Sequence, residues 1–198
     1  MKARETAVVL IEFQNDFCKE DGKLYPMLEE ELARQNTLAN AAKLLEAARG
    51  KGALVVHCPF VYDPQWVDAC GVCGIIAGAA ENGAFLEGRR GAEIIDELKP
   101  RDNEPVLEGK RALSAFSHTR LDEILKSESI RNVVLAGFLS NVCVESTARS
   151  AYDLGYRVFV IRDATAATSQ ANQEYVEREI YPLLGGSMTA EEFLGTLE

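Results

Sequence analysis

Residues 130–151 read IRNVVLAGFLSNVCVESTARSA, and this stretch decides the fold. Asn132 to Gly137 is a continuous apolar run with β-branched residues, the signature of a strand buried on both faces of a parallel sheet. From Asn141 the pattern turns helical, with Val144, Ala148 and Ala151 at helical spacing and no Gly or Pro before Gly155. The turn between them, Gly137 to Cys143, puts the thiol of Cys143 at a helix N-terminus. Amide N–H groups and the helix dipole favour negative charge there, which suits a thiolate nucleophile and the oxyanion formed when it attacks a carbonyl. A helix-start cysteine also serves as an inert small hydrophobe, so other residues must decide between the two roles.

Outward from this stretch, strands and helices alternate. TAVVLIE at 6–12 is a buried strand with a polar exit, Phe13 to Phe17, at the end where ligands bind in open α/β sheets. The spacing of Leu32, Leu38, Ala41, Leu44 and Leu45 predicts one helix over 29–49, stopped by Gly50-Lys51-Gly52. Strands follow at 53–57, 104–107, 157–161 and 187–188. Helices are expected at 92–98, 119–126 and 170–184, and a capping box at Thr189 and Glu192 opens a last helical turn. Residues 58–90 are Gly- and Ala-rich without periodicity, and a loop this long in a compact domain is usually functional. The order predicts one domain over 1–198, a three-layer α/β sandwich with a doubly wound, mainly parallel sheet.

The bulk numbers bound the function. A chain of 198 residues is long enough to bury roughly 70% of its unfolded surface. With 31 acidic against 21 basic residues the net charge is −10, which argues against nucleic acid or an anionic membrane as partner. No apolar run is long enough to span a bilayer, and the N-terminus lacks a signal-peptide layout. The five cysteines, 18, 58, 70, 73 and 143, cannot all pair within the chain, which suggests reduced thiols in a cytoplasmic compartment.

Three strand exits bring reactive groups toward one crevice: Glu12, with Gln14 and Asp16, after the first strand; Lys110 after 104–107; and Cys143 after the central strand. A thiol, an ammonium and a carboxylate together suit acyl transfer. The carboxylate takes the proton of the thiol and later of water, and the ammonium stabilises developing charge.

These residues carry a resemblance. IEFQNDF at 11–17, Lys110 followed by SAF at 114–116 and Thr119, GFLSNVCVESTARSA at 137–151 and GYRVFVIRDATAA at 155–167 resemble the isochorismatase-like cysteine hydrolases. That superfamily holds nicotinamidases, N-carbamoylsarcosine amidases, biuret and ureidoacrylate amidohydrolases, and isochorismatases. The resemblance runs from the first strand to the terminal TAEEFL. It implies a doubly wound parallel sheet, an acid–lysine–cysteine triad on Glu12, Lys110 and Cys143, a cis peptide at Phe138–Leu139, an oxyanion hole from the amides of Leu139 and Cys143, and a homodimer or homotetramer. The implied activity is hydrolysis of an amide or ureide C–N bond of a small molecule through a covalent thioester. The alternatives are an isochorismatase-type vinyl ether hydrolase and a catalytically silent binding protein.

Two departures qualify it. Position 12 is Glu where the family usually has Asp, so either the pocket has adjusted or Asp16 substitutes, or activity is impaired. Metal-binding relatives use an aspartate and several histidines, whereas this chain has only His57 and His118; His57 with Asp63 makes at most a weak site, so neither metal nor cofactor is expected. His118 reads as a surface residue, and Cys70 and Cys73 as loop thiols. Phe17, Phe60, Tyr62, Trp66 and Phe138 are candidate walls for a small planar amide, with Gln14, Ser140 and Asn141 at its polar edge. Arg89, Arg90 and Lys110 equally suit a carboxylate. The segment 70–84, with Ile75 and Ile76, is a candidate lid or subunit interface.

Overall fold

A computed structural model describes residues 1–65 and 73–198. Five strands form one all-parallel sheet in the order β2-β1-β3-β4-β5, namely β1 Thr6–Ile11, β2 Leu54–Cys58, β3 Asn132–Phe138, β4 Arg157–Ala166 and β5 Ser187–Met188. The helices are α1 Asn15–Cys18, α2 Glu29–Gln35, α3 Thr37–Lys51, α4 Gly74–Glu81, α5 Leu121–Ser127, α6 Glu145–Asp153, α7 Gln170–Tyr175, α8 Tyr181–Leu184 and α9 Ala190–Thr196.

Period-two alternation in the strands builds two cores. Val8 and Leu10 of β1 and Val134, Ala136 and Phe138 of β3 pack with Leu32, Leu44, Leu45 and Phe193 from α2, α3 and α9. Ala7, Val9 and Ile11, with Val133 and Leu135, pack on the other face with Leu121, Leu125, Ala148 and Tyr181 from α5, α6 and α8. Every residue of β1 and β3 is buried, as expected of central strands covered on both faces. β1 pairs with β2 on one side and β3 on the other, so the chain reverses its winding between β1 and β3. Ligands bind at such a switch point, outside the carboxyl ends of the strands.

Local chemistry shifts several boundaries. The helix expected over 29–49 is two helices, because Asn36 adopts the left-handed conformation (φ 54°) between α2 and α3. The strand expected at 104–107 is a single parallel bridge from Val106 to His57, and the helix expected at 92–98 is two 3₁₀ turns, Arg90–Ala92 and Asp96–Leu98. Thr119 precedes α5 and its Oγ1 accepts from the Leu121 amide, so it belongs to the turn. The helix over 170–184 has a π turn, Val176–Ile180, between α7 and α8. The long apolar loop contains α4, which buries none of its own residues fully. The Thr189–Glu192 capping box is present.

Gly137 sets how closely the two central strands approach. Its φ is +126°, and a Cβ there would stand 1.9 Å from the Ile11 carbonyl oxygen. Gly137→Ala is expected to destabilise the fold by about 2–3 kcal/mol, read as a lowered urea midpoint. An unchanged midpoint would mean that β1 and β3 can part without cost.

Candidate active site

Three side chains meet at the carboxyl end of the sheet. Glu12 follows β1 in a left-handed conformation (φ 59°) uncommon for a non-glycine residue, its amide held by the Cys58 carbonyl at 3.0 Å. Cys143 lies in a π turn, Ser140–Val144, that joins β3 to α6. Lys110 arrives on the segment that leaves the Val106 bridge and reaches between them, with Nζ 2.5 Å from Glu12 Oε1 and 4.0 Å from Cys143 Sγ. The same ammonium lies 5.2 Å from the centroid of the Phe60 ring, close enough for a cation–π contact. Glu12, Lys110 and Cys143 are 4%, 3% and 7% exposed, so the ion pair works at low dielectric.

Burial alone would lower the Lys110 pKa, but the charge of Glu12 and its hydrogen bond to the ammonium outweigh it, and the net shift is upward. Lys110 is therefore an ammonium at neutral pH. Burial and the charge of the Glu12 carboxylate hold the Cys143 pKa well above its ordinary value against the opposing pull of Lys110. The resting sulfur thus keeps its proton beside a carboxylate acceptor.

Buried hydrogen bonds fix the turn and the lysine segment. Thr147 Oγ1 donates to the Cys143 carbonyl at 2.6 Å and accepts from the Ala115 amide at 2.9 Å, joining α6 to the segment that carries Lys110. Ser140 Oγ donates to Gln173 Oε1 at 2.6 Å, Gln173 Oε1 accepts from the Ala167 amide, and Tyr181 donates to the Ser140 carbonyl at 3.0 Å. The Phe138–Leu139 peptide is cis.

The side chains of Glu12, Lys110 and Cys143 face a cavity of about 210 Å³. Phe17, Phe60 and Phe85 line it together with Leu24, Met27 and, from α4, Ile75 and Ile76. Leu113 and Leu139 line it beside Cys143.

The Isochorismatase domain model matches residues 6–192. The chain belongs to the isochorismatase family. It is 32% identical over 179 residues to the ureidoacrylate amidohydrolase RutB of Rhizobium rhizogenes, covering 83% of this chain and 72% of that one. An isochorismatase-like hydrolase from Alkaliphilus metalliredigens superposes with a TM-score of 0.81 at 28% identity, over 97% of this chain and 98% of the other. N-carbamoylsarcosine amidase from Thermoplasma acidophilum gives 0.71 at 30% identity, over 94% and 97%.

In this isochorismatase-family site, not every residue singled out in the sequence reaches the cavity. Phe17 and Phe60 line it. Gln14 stands behind the wall: its amide donates to the Phe60 and Ala92 carbonyls at 2.7 Å and its oxygen accepts from the Phe60 amide at 2.8 Å, bracing the loop that carries Phe60. Phe138 is fully buried against Phe13 and Phe17, with ring centroids 4.8 and 5.8 Å away, because it shares the strand parity of Val134 and Ala136. Ser140 is committed to Gln173, and half-buried Asn141 is not among the lining residues. Trp66 and Cys70 fall outside the described residues. Asp16 is structural, accepting from the amides of Lys23 and Phe85. Arg89 and Arg90 are not at the cavity; Arg90 pairs with Asp21. Cys18, Cys58, Cys73 and Cys143 are free thiols, and His118 is exposed. Leu24, Met27, Phe85, Leu113 and Thr147 carry no periodic signal that would have marked them.

The donor set does not fit a divalent ion. Among the described residues no three His, Cys, Asp or Glu side chains gather around one point, and His57 Nε2 is engaged by Glu104 at 2.9 Å. Glu104 also takes a bidentate pair from Arg49 at 2.7 and 2.8 Å. Burial alone would raise the Glu104 carboxyl, but Arg49, the Arg101 amide and His57 together bring it down to about 2. Its folded pKa lies below the unfolded value, so its stabilisation is complete above about pH 4.5 and drains as pH falls toward 2. His57 acts in the same direction: burial, against the pull of Glu104, lowers it below 6.5, so its contribution is lost as pH falls beneath that value. Glu104→Gln is expected to cost about 2 kcal/mol at pH 7 and to flatten the loss of stability between pH 4.5 and 2. Melting temperatures across that range check it, and an unchanged acid limb would refute it.

Proposed function

We propose that this protein is a metal-independent cysteine hydrolase that cleaves the C–N bond of a small amide or ureide through a covalent adduct on Cys143. Glu12 takes the thiol proton as sulfur attacks the carbonyl carbon, forming the C–S bond and an oxyanion received by the amides of Leu139 and Cys143. Lys110 offsets the charge on sulfur and holds Glu12 in place. Collapse of the tetrahedral species breaks the C–N bond, and the leaving nitrogen takes the proton from Glu12. Glu12 then deprotonates water, which attacks the acyl carbon. The C–S bond breaks and the thiol recovers its proton.

The observation that carries this reading is the buried contact of Lys110 with both Glu12 and Cys143 on the wall of a largely apolar cavity. The relatives with amidohydrolase and amidase names support the bond class. The test is ammonia release from small amides and ureides, among them nicotinamide, biuret, ureidoacrylate, N-carbamoyl compounds, benzamide and arylureas, with acid-quenched protein analysed by peptide mass. An acyl or carbamoyl increment on the Cys143 peptide is expected during turnover. Turnover with the increment elsewhere, or with no increment under conditions where the adduct should accumulate, would reject the covalent route.

A further inference from the structure

We infer that the cavity selects a neutral substrate with an apolar substituent on its amide or ureide group, and rejects analogues that carry a carboxylate. This rests on the hydrolase reading for turnover only; what the cavity binds is a separate question. Among the residues lining it, polar side chains are confined to Glu12, Lys110, Cys143 and Asn82. The first three are already engaged with one another, and Lys110, the only cation of the lining among the described residues, is neutralised by Glu12 at 2.5 Å. Asn82 donates its amide to the Gly78 carbonyl at 2.8 Å, within the end of α4. Apart from Asn82, the described lining beyond these three presents apolar side chains, chiefly the three phenylalanines, Leu24 with Met27, and the two isoleucines of α4.

A carboxylate seated here would lose its hydration and meet no free partner on the described lining, since the Glu12–Lys110 pair carries no net charge. A flat hydrocarbon group would exchange water for ring and methyl contacts. The volume of about 210 Å³ is sufficient for a monosubstituted ring, since apolar cavities of about 150 Å³ take up benzene. The same logic disfavours a ring nitrogen, whose lone pair would be buried unpaired.

The decisive experiment uses matched pairs, 4-methylbenzamide against 4-carbamoylbenzoate for an amide and 4-tolylurea against 4-ureidobenzoate for a ureide. Binding is measured by calorimetry on the Cys143→Ala protein, and turnover by ammonia release from the unaltered protein. In at least one pair the neutral member is expected to bind about 100-fold more tightly, and no less than tenfold; benzamide should bind better than nicotinamide. Met27→Arg, at a cavity residue that is 46% exposed and so tolerant of charge, should narrow the gap by strengthening carboxylate binding. Tight neutral binding without ammonia release would leave this inference standing and defeat the hydrolase reading. A gap below tenfold in both pairs, preference for the carboxylate, or no binding by any member would overturn the inference, whether or not ammonia is released from other amides.

Discussion

Replacing Cys143 by Ala is expected to lower kcat/KM at least about 10⁴-fold, because without the sulfur no covalent intermediate forms and only the binding and electrostatic contributions of the site remain. Stability should change little by comparison, since the side chain is small and lies beside a cavity. Cys143→Ser separates nucleophilicity from shape: the hydroxyl keeps a donor for Glu12 but is a far poorer nucleophile, so it should fall nearly as far as the alanine variant. The resting thiol is held protonated by burial and by Glu12, so alkylation of Cys143 should be slow in the resting protein and should accelerate in Glu12→Gln, where the opposing charge is gone and Lys110 remains. Ammonia release by Cys143→Ala within tenfold of the unaltered protein would end the nucleophile assignment.

The layered sheet was legible because its signal is local. The apolar runs at 6–12 and 132–137 can only be strands covered on both faces, and their alternation with helices forces parallel pairing. Strand parity was available too: residues 134, 136 and 138 share a face, which already places Phe138 in the core with Phe13 rather than on the cavity. The break at Asn36 was less accessible, since Leu32, Leu38 and Leu45 continue the helical stripe across it and only the tolerance of Asn for the left-handed region hints at two helices. The cavity wall was the least legible part. Leu24 with Met27, Phe85 and Leu113 come from three separate segments that converge outside the carboxyl ends of β1 and β3, where the switch point lies. The convergence of Glu12, Lys110 and Cys143 follows from the same topology, whereas Thr147 and Gln173, which tie the segments together, look like ordinary helix residues.

The second large effect concerns the buried ion pair. Lys110→Met is expected to cost about 3–5 kcal/mol, because it leaves the Glu12 charge buried without its partner. Adding Glu12→Gln to that variant should restore most of the stability, since two neutral groups then occupy the site, while activity stays lost in both. Glu12→Gln alone should lower kcat by about 10³-fold through loss of the proton acceptor. Glu12→Asp tests whether the longer side chain is built into this pocket. The left-handed backbone at residue 12 and its amide bond to Cys58 fix where the chain emerges, so shortening by one methylene withdraws the carboxylate from Lys110 and from sulfur. A retreat of about 1 Å is enough to cost about 10²-fold in kcat. Denaturant midpoints and steady-state rates on the four variants decide the matter. If the aspartate variant were faster than the natural glutamate, the site would be one that has drifted from its working geometry; a slower variant means that the position of Glu12 has been accommodated by the surrounding wall and that the carboxylate works from where it stands.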